Sequence, residues 1–186
     1  MERERTSKPR KMLPQFLVLC EGETEEAYVN LLRQNYRLPI KIVPKIIGSK
    51  ISQKIINRYK KELSSKPESI NTFLMYDGDI DTVVDNLKKC EGVLLLSRPC
   101  IEIWFVAHFK KIPEKEISSN DCVKMLTSIP DWNNYKKACF TIKQGTALWE
   151  NKNVAVECMK KKSSESKTYS SIFQFIETLD KEKVRR

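Results

Sequence analysis

Phe16-Leu17-Val18-Leu19-Cys20-Glu21-Gly22 decides the fold of this chain. Five apolar residues run without a polar break and stop at an acid and a glycine. A strand that is apolar on both faces belongs inside a parallel sheet covered from both sides. Thr24 can cap a following helix over 25–35, whose one face carries Ala27, Tyr28, Leu31 and Leu32. The pattern then recurs. Residues 40–47 are rich in β-branched side chains and read as a second strand. Ser49 opens a helix to Leu63, with Ile51, Ile55, Tyr59 and Leu63 as its apolar stripe. Residues 72–76 are a third strand ending at Asp77, a helix over 81–90 follows, and 93–96 is a fourth strand. This alternation indicates an α/β domain with a mostly parallel central sheet, helices on both faces and right-handed crossovers.

From Pro99 onward the periodicity becomes helical. Residues 100–109 are apolar nearly all round and predict a buried helix, with Pro99 at its start. Further helices are expected at 119–127, 134–143, 146–160 and 169–179, with an exposed loop at 160–167. The expected organisation is a basic flexible arm over 1–14, an α/β core over 15–110 and a helical C-terminal extension over 111–186 packed on that core.

A chain of 186 residues can bury a sizeable core as one domain. With 40% hydrophobic and 31% charged residues it has the balance of a globular protein, not of a disordered one. No apolar run approaches the roughly 20 residues that span a bilayer, so no membrane is expected. The charged start, Met1 to Lys11, does not resemble a secretory signal, and the expected location is the cytoplasm. Six cysteines without a CxxC pair, and one histidine, argue against zinc. Free thiols follow from a reducing compartment. The net charge of +10 favours a polyanionic partner such as DNA or RNA. On the helix after Ser49, Lys50, Lys54, Arg58 and Lys61 form a basic ridge beside the apolar stripe. Such a ridge holds a phosphate backbone or is an ordinary solvated face, and spacing does not separate the two.

Acidic residues punctuate the strand ends. Glu21 closes the first strand, and Asp77, Asp79 and Asp81 follow the third. Ligands of open parallel sheets bind beyond the carboxyl ends of the strands, so neighbouring first and third strands would point Glu21 and Asp77 into one crevice. Oxygen ligands at this density suit Mg²⁺ or Mn²⁺, and carboxylates packed together need a cation to stay ionised. The competing reading is an ordinary Asp-rich turn in which Asp81 caps the next helix. Glu102 falls in the first turn of an otherwise apolar helix, where a carboxylate is paired, metal-bound or resting on the helix N-terminus. His108 either contacts a phosphate or is a satisfied core residue.

Several segments together resemble known proteins at two levels. Leu19-Cys20-Glu21-Gly22-Glu23-Thr24-Glu25 followed by a strand-end Asp77-Gly78-Asp79 is similar to the Toprim domain of primases, topoisomerases and overcoming-lysogenization-defect nucleases. Ser97-Arg98-Pro99-Cys100-Ile101-Glu102-Ile103-Trp104, then His108-Phe109 and Tyr135-Lys136, more closely resembles the RloB-like family over about residues 13–180. Arg98 stands where that family usually has Asn, and Gly78 where it often has Arg or Lys. The resemblance implies a Toprim-like fold and a Mg²⁺-dependent nuclease in a phage-defence or restriction setting. It also implies an ATPase partner, with a non-catalytic regulatory or nucleic-acid-binding module as the alternative. Glu21, Asp77, Asp79 and Glu102 are then the candidate catalytic residues, and Glu21, Asp77, Asp79 and Asp81 the candidate metal ligands. Lys50, Lys54, Arg58, Arg98, His108 and Lys136 are the candidate nucleic-acid contacts.

Overall fold

The computed structural model describes residues 14–38 and 40–184. The expected basic arm lies outside them except for Pro14, whose carbonyl accepts the Lys41 N–H at 3.0 Å. Five strands form one sheet in the order β2-β1-β3-β4-β5. β1 (Gln15–Cys20), β2 (Lys41–Ile46), β3 (Ile70–Asp77) and β4 (Val93–Arg98) are parallel, and β5 (Tyr169–Ser170) closes the β4 edge antiparallel.

β1 sits between β2 and β3, and its side chains divide by parity. Phe16, Val18 and Cys20 enter a large core with α1 (Glu23–Tyr36), α4 (Glu102–Ala107) and the C-terminal helices. Leu17 and Leu19 enter a smaller core with α2 (Gln53–Leu63) and α3 (Asp81–Lys88). This double burial is why β1 reads as an unbroken apolar run. The chain moves from β1 to β2 in one direction across the large-core face. It returns past β1 to β3, and then to β4, in the other direction across the opposite face. Reversing both direction and face keeps the crossovers of one hand.

Local boundaries differ from the expected ones for identifiable reasons. α1 starts at Glu23, with the Glu25 carboxylate accepting the Gly22 N–H at 2.9 Å. Thr24 is therefore inside the helix, and its Oγ1 accepts the Ala138 N–H at 3.1 Å. α2 starts at Gln53, four residues after Ser49, and buries Ile56 at its centre. α3 has Asp81 as its first residue and Ile80 at the cap, with no side-chain capping bond. The Asp81 carboxylate thus lies in the favourable field of the first turn without capping it. α4 covers only 102–107, entered through a tight turn in which Ile103 N–H and Trp104 N–H donate to Cys100 and Ile101 carbonyls.

The C-terminal part is helical, as expected, with α5 (Ser119–Thr127), α6 (Ile142–Glu150), α7 (Lys152–Lys160) and α8 (Phe173–Val184). The expected helix over 146–160 is split at Asn151, whose side-chain amide donates to the Ala147 carbonyl and ends α6. The expected helix over 134–143 is absent. Ala138 there has φ of 61°, and Lys136 and Cys139 form an isolated antiparallel bridge. Tyr169 and Ser170 form β5, because the buried Ser97 and Ser170 hydroxyls pair at 2.9 Å and hold this segment to β4. No helix among the described residues is long and apolar enough to cross a membrane.

Candidate active site

The chain reverses direction across the sheet between β1 and β3, so the carboxyl ends of these two strands open a crevice. Glu21 N–H continues the β1–β3 ladder to the Met75 carbonyl at 3.1 Å. One turn further along, Glu21 Oε2 accepts the Asp77 N–H at 2.9 Å. The two strand-end acids are thus fixed to one another by the sheet itself. Above them lies a cavity of about 310 Å³ lined by Glu21, Glu25, Asp77, Glu102 and Lys137 among others.

Glu102 reaches this cavity from the first turn of α4 and is fully buried. Its Oε1 accepts the Tyr135 hydroxyl at 3.1 Å and has Lys137 Nζ at 3.8 Å. Its Oε2 is buried without a hydrogen-bond partner, as is Asp77 Oδ1. Burial, followed by the nearby carboxylates of Glu25, Glu21, Glu102 and Asp79, pushes the Asp77 carboxyl up to about 8. Glu25 is also raised, first by burial and less by its acidic neighbours, while its bonds to its own and the Gly22 N–H groups oppose the rise. Burial and then the Glu102 carboxylate raise the Tyr135 phenol, which keeps it a donor.

Glu21, Asp77 and Glu102 therefore meet in one cavity. Asp79 and Asp81 do not line it. Asp79 is exposed on the loop after β3 and Asp81 is exposed at the start of α3, although Asp79 is close enough to bear on Asp77. Glu23 and the buried Glu25 are acids of the lining that the sequence reading missed. The signal was present, since Glu25 sits three residues after Gly22 at a helix start, the position that reaches back to the cap N–H.

The donor set is all carboxylate, and two of its buried oxygens lack partners, which fits a hard divalent cation in chemistry. Among the described residues no three His, Cys, Asp or Glu side chains are grouped so that they could hold a metal ion. Glu21 Oε2 and Glu102 Oε1 are each engaged by a protein donor.

The expected nucleic-acid contacts divide. Lys54, Arg58 and Lys61 lie exposed on α2, and Lys50 lies exposed near its start. Lys50 is two residues from Gly48, whose carbonyl accepts the Tyr76 hydroxyl at 3.2 Å, so this lysine is at the carboxyl edge of the sheet. His108 is corrected to a core residue. It is 2% exposed, its Nδ1 is 2.8 Å from the Trp104 carbonyl, and burial pushes its imidazole down to about 4. A neutral, enclosed ring offers nothing to a phosphate. Lys136 is exposed and does not line the cavity, whereas its neighbour Lys137 does.

Arg98 lies across the Asp77-Gly78-Asp79 loop and donates from Nη1 to the Ser164 carbonyl at 3.1 Å. A Cβ placed on Gly78 would lie 2.7 Å from Arg98 Cγ, so glycine is what lets the arginine cross there. Gly78→Ala is expected to push Arg98 off Ser164 and destabilise the fold by about 1 kcal/mol. Thermal melts of Gly78→Ala, Arg98→Ala and the double variant check this. The glycine substitution should cost much less once Arg98 is gone.

Fold and site together define a doubly wound α/β protein with an acidic cavity at its switch point. The RloB-like protein model matches residues 16–179, and the chain belongs to that family. Neither the curated proteins nor the solved structures gave a match.

Proposed function

We propose that this chain is a Mg²⁺- or Mn²⁺-dependent nuclease acting on DNA or RNA phosphodiesters through a Toprim-like acidic site. The observation that carries the reading is the meeting of Glu21, Asp77 and the fully buried Glu102, with unpartnered oxygens on the last two. Burying carboxylates together without a countercharge is costly, and such clusters persist where they have chemistry to do. A bound divalent cation would supply charge neutralisation at the phosphate and favour attack by water.

The chain's own residues would divide the remaining work. Asp77 Oδ1 and Glu102 Oε2, which lack hydrogen-bond partners, would be the donors to the ion. Glu21 is held by the Asp77 N–H through one oxygen and keeps the other for the ion or for orienting a water. Glu25 deepens the negative field and fixes the start of α1. Lys50, Lys54 and Arg58 would place a strand by its backbone, which confers no sequence preference. The net charge of +10 supports a polyanionic substrate, and the family resemblance supports a defence setting with an ATPase partner.

The test is cleavage of plasmid DNA and of structured RNA by the full chain with Mg²⁺ or Mn²⁺, compared with Asp77→Ala. Cleavage that requires both the ion and Asp77 supports the reading. Cleavage that survives the substitution rules this site out as its source. Strand binding without cleavage leaves the chain as a binding module.

A further inference from the structure

The acidic cavity has a wall that its sheet does not supply. Residues 133–140 form a strap from the C-terminal part that lines it with Lys137 and Ala138, and both flanks of this strap are anchored in aromatic core. Trp132 and Phe140 pack on Phe105 with ring centroids at 6.2 and 5.3 Å. Between them Tyr135 donates to Glu102, and the Ala138 N–H donates to Thr24 on α1. The chain reverses at the tip, where Lys136 bridges Cys139 and Ala138 takes a left-handed conformation with φ of 61°. An alanine rarely adopts that conformation unless its surroundings impose it, and such positions gather where geometry serves a site.

The strap brings Lys137 to the cavity. It is the one basic side chain among the described lining residues. Its side chain is 69% exposed, and its Nζ stands 3.8 Å from a Glu102 oxygen whose side chain is 1% exposed. An exposed lysine paired at that distance gains little stability, so the pairing does not account for its placement. What it does supply is an exposed positive charge at a cavity lined by five carboxylates, Glu21, Glu23, Glu25, Asp77 and Glu102. We propose that the strap is the substrate-side jaw of the acidic site and that Lys137 is its contact to a phosphate of the bound strand. This rests on the nuclease reading in taking a nucleic-acid strand as the ligand. Tyr135 is a positioning residue, acting through Glu102 and the strap. Lys136, one position away, faces out of the cavity's lining and has no such role.

The experiment measures binding of fluorescein-labelled single-stranded DNA and RNA of about 20 nucleotides. It uses the full chain with Ca²⁺ over a range of salt concentrations. Lys137→Met keeps the aliphatic stem and should leave the melting temperature unchanged. It is expected to weaken binding about fivefold to tenfold and to make the salt slope shallower by about 0.7, the loss of one single-strand phosphate contact. Lys137→Arg should restore the slope. Tyr135→Phe should weaken binding by a smaller factor. Lys181→Met removes the same charge from an exposed position on α8 and should leave the slope near that of the native chain. A Lys137→Met slope and affinity equal to those of Lys181→Met would overturn the contact. If strands are cut in an Asp77-dependent way while the two lysine variants bind alike, the contact fails and the nuclease reading stands. If nothing is cut but Lys137→Met binds with a shallower slope, the contact stands and the nuclease reading fails.

Discussion

Asp77→Asn is expected to abolish metal-supported cleavage, by about 10³-fold or more, while making the metal-free protein more stable at neutral pH. The two effects have one cause. Burial and four neighbouring carboxylates hold Asp77 at about 8, above the 3.8 of an ordinary aspartate. A group raised in the folded state binds more protons there than in the unfolded chain. Stability from Asp77 is therefore fully present below about pH 4 and is lost as pH rises through about 8. Asparagine has no charge to lose, so its melting temperature should exceed that of the native residue most at pH 8 and converge with it near pH 4. The expected gain is about 2 kcal/mol at pH 7–8. Calorimetry of both proteins across this range in EDTA measures it. A melting temperature for Asp77→Asn below that of the native protein at pH 8 would mean that Asp77 is a structural group. The same linkage predicts that Mn²⁺ binding releases a proton and tightens from pH 6 to pH 8.

Phe105→Ala is expected to cost about 3–5 kcal/mol, a large part of a typical domain stability of about 5–15 kcal/mol. Phe105 is fully buried at the centre of α4. Its ring packs against Tyr28 of α1 at 5.4 Å, against Trp132 just before the strap at 6.2 Å, and against Tyr135 and Phe140 of the strap at 6.4 and 5.3 Å. Removing it leaves a cavity bounded by several separate segments, which cannot all collapse into it. Phe105→Leu keeps most of the volume and should cost about 1.5 kcal/mol. Urea titration of the three proteins gives these values. Because the strap leans on this ring, Phe105→Leu should also weaken strand binding under conditions where the protein remains folded. A loss below about 1 kcal/mol for Phe105→Ala would show that the aromatic cluster is not the joint between α4 and the strap.

The acidic site was legible in part, and the reason differs from residue to residue. Glu21 and Asp77 could be placed because each ends a strand whose apolar run is unmistakable, and strand ends are where such sheets bind. Glu102 was legible as an anomaly, a carboxylate in a wholly apolar segment, but nothing local told whether it was paired. Asp79 and Asp81 carried the same residue type at the same spacing, yet the loop after β3 and the start of α3 leave them exposed. Lys136 and Lys137 were indistinguishable, since one residue decides which side chain faces the cavity only after the chain reversal at Ala138 is known. His108 follows directly on α4, all of whose residues are buried, and sequence left open whether its ring would share that burial or reach a phosphate.

Sequence alone determined the four parallel strands, the helices between them and the two acids at their ends, because period and burial write themselves directly into residue order. Tertiary structure decided the rest. Only the strand order makes β1 and β3 neighbours, and only that adjacency lets Glu21 accept the Asp77 N–H. Only the fold-back of residues 133–140 brings Tyr135 and Lys137 to Glu102, across more than 30 positions of chain. The physical reason is that local pattern fixes which way a side chain faces relative to its own element. A site made from four segments depends on how the elements face one another, and that is set by packing.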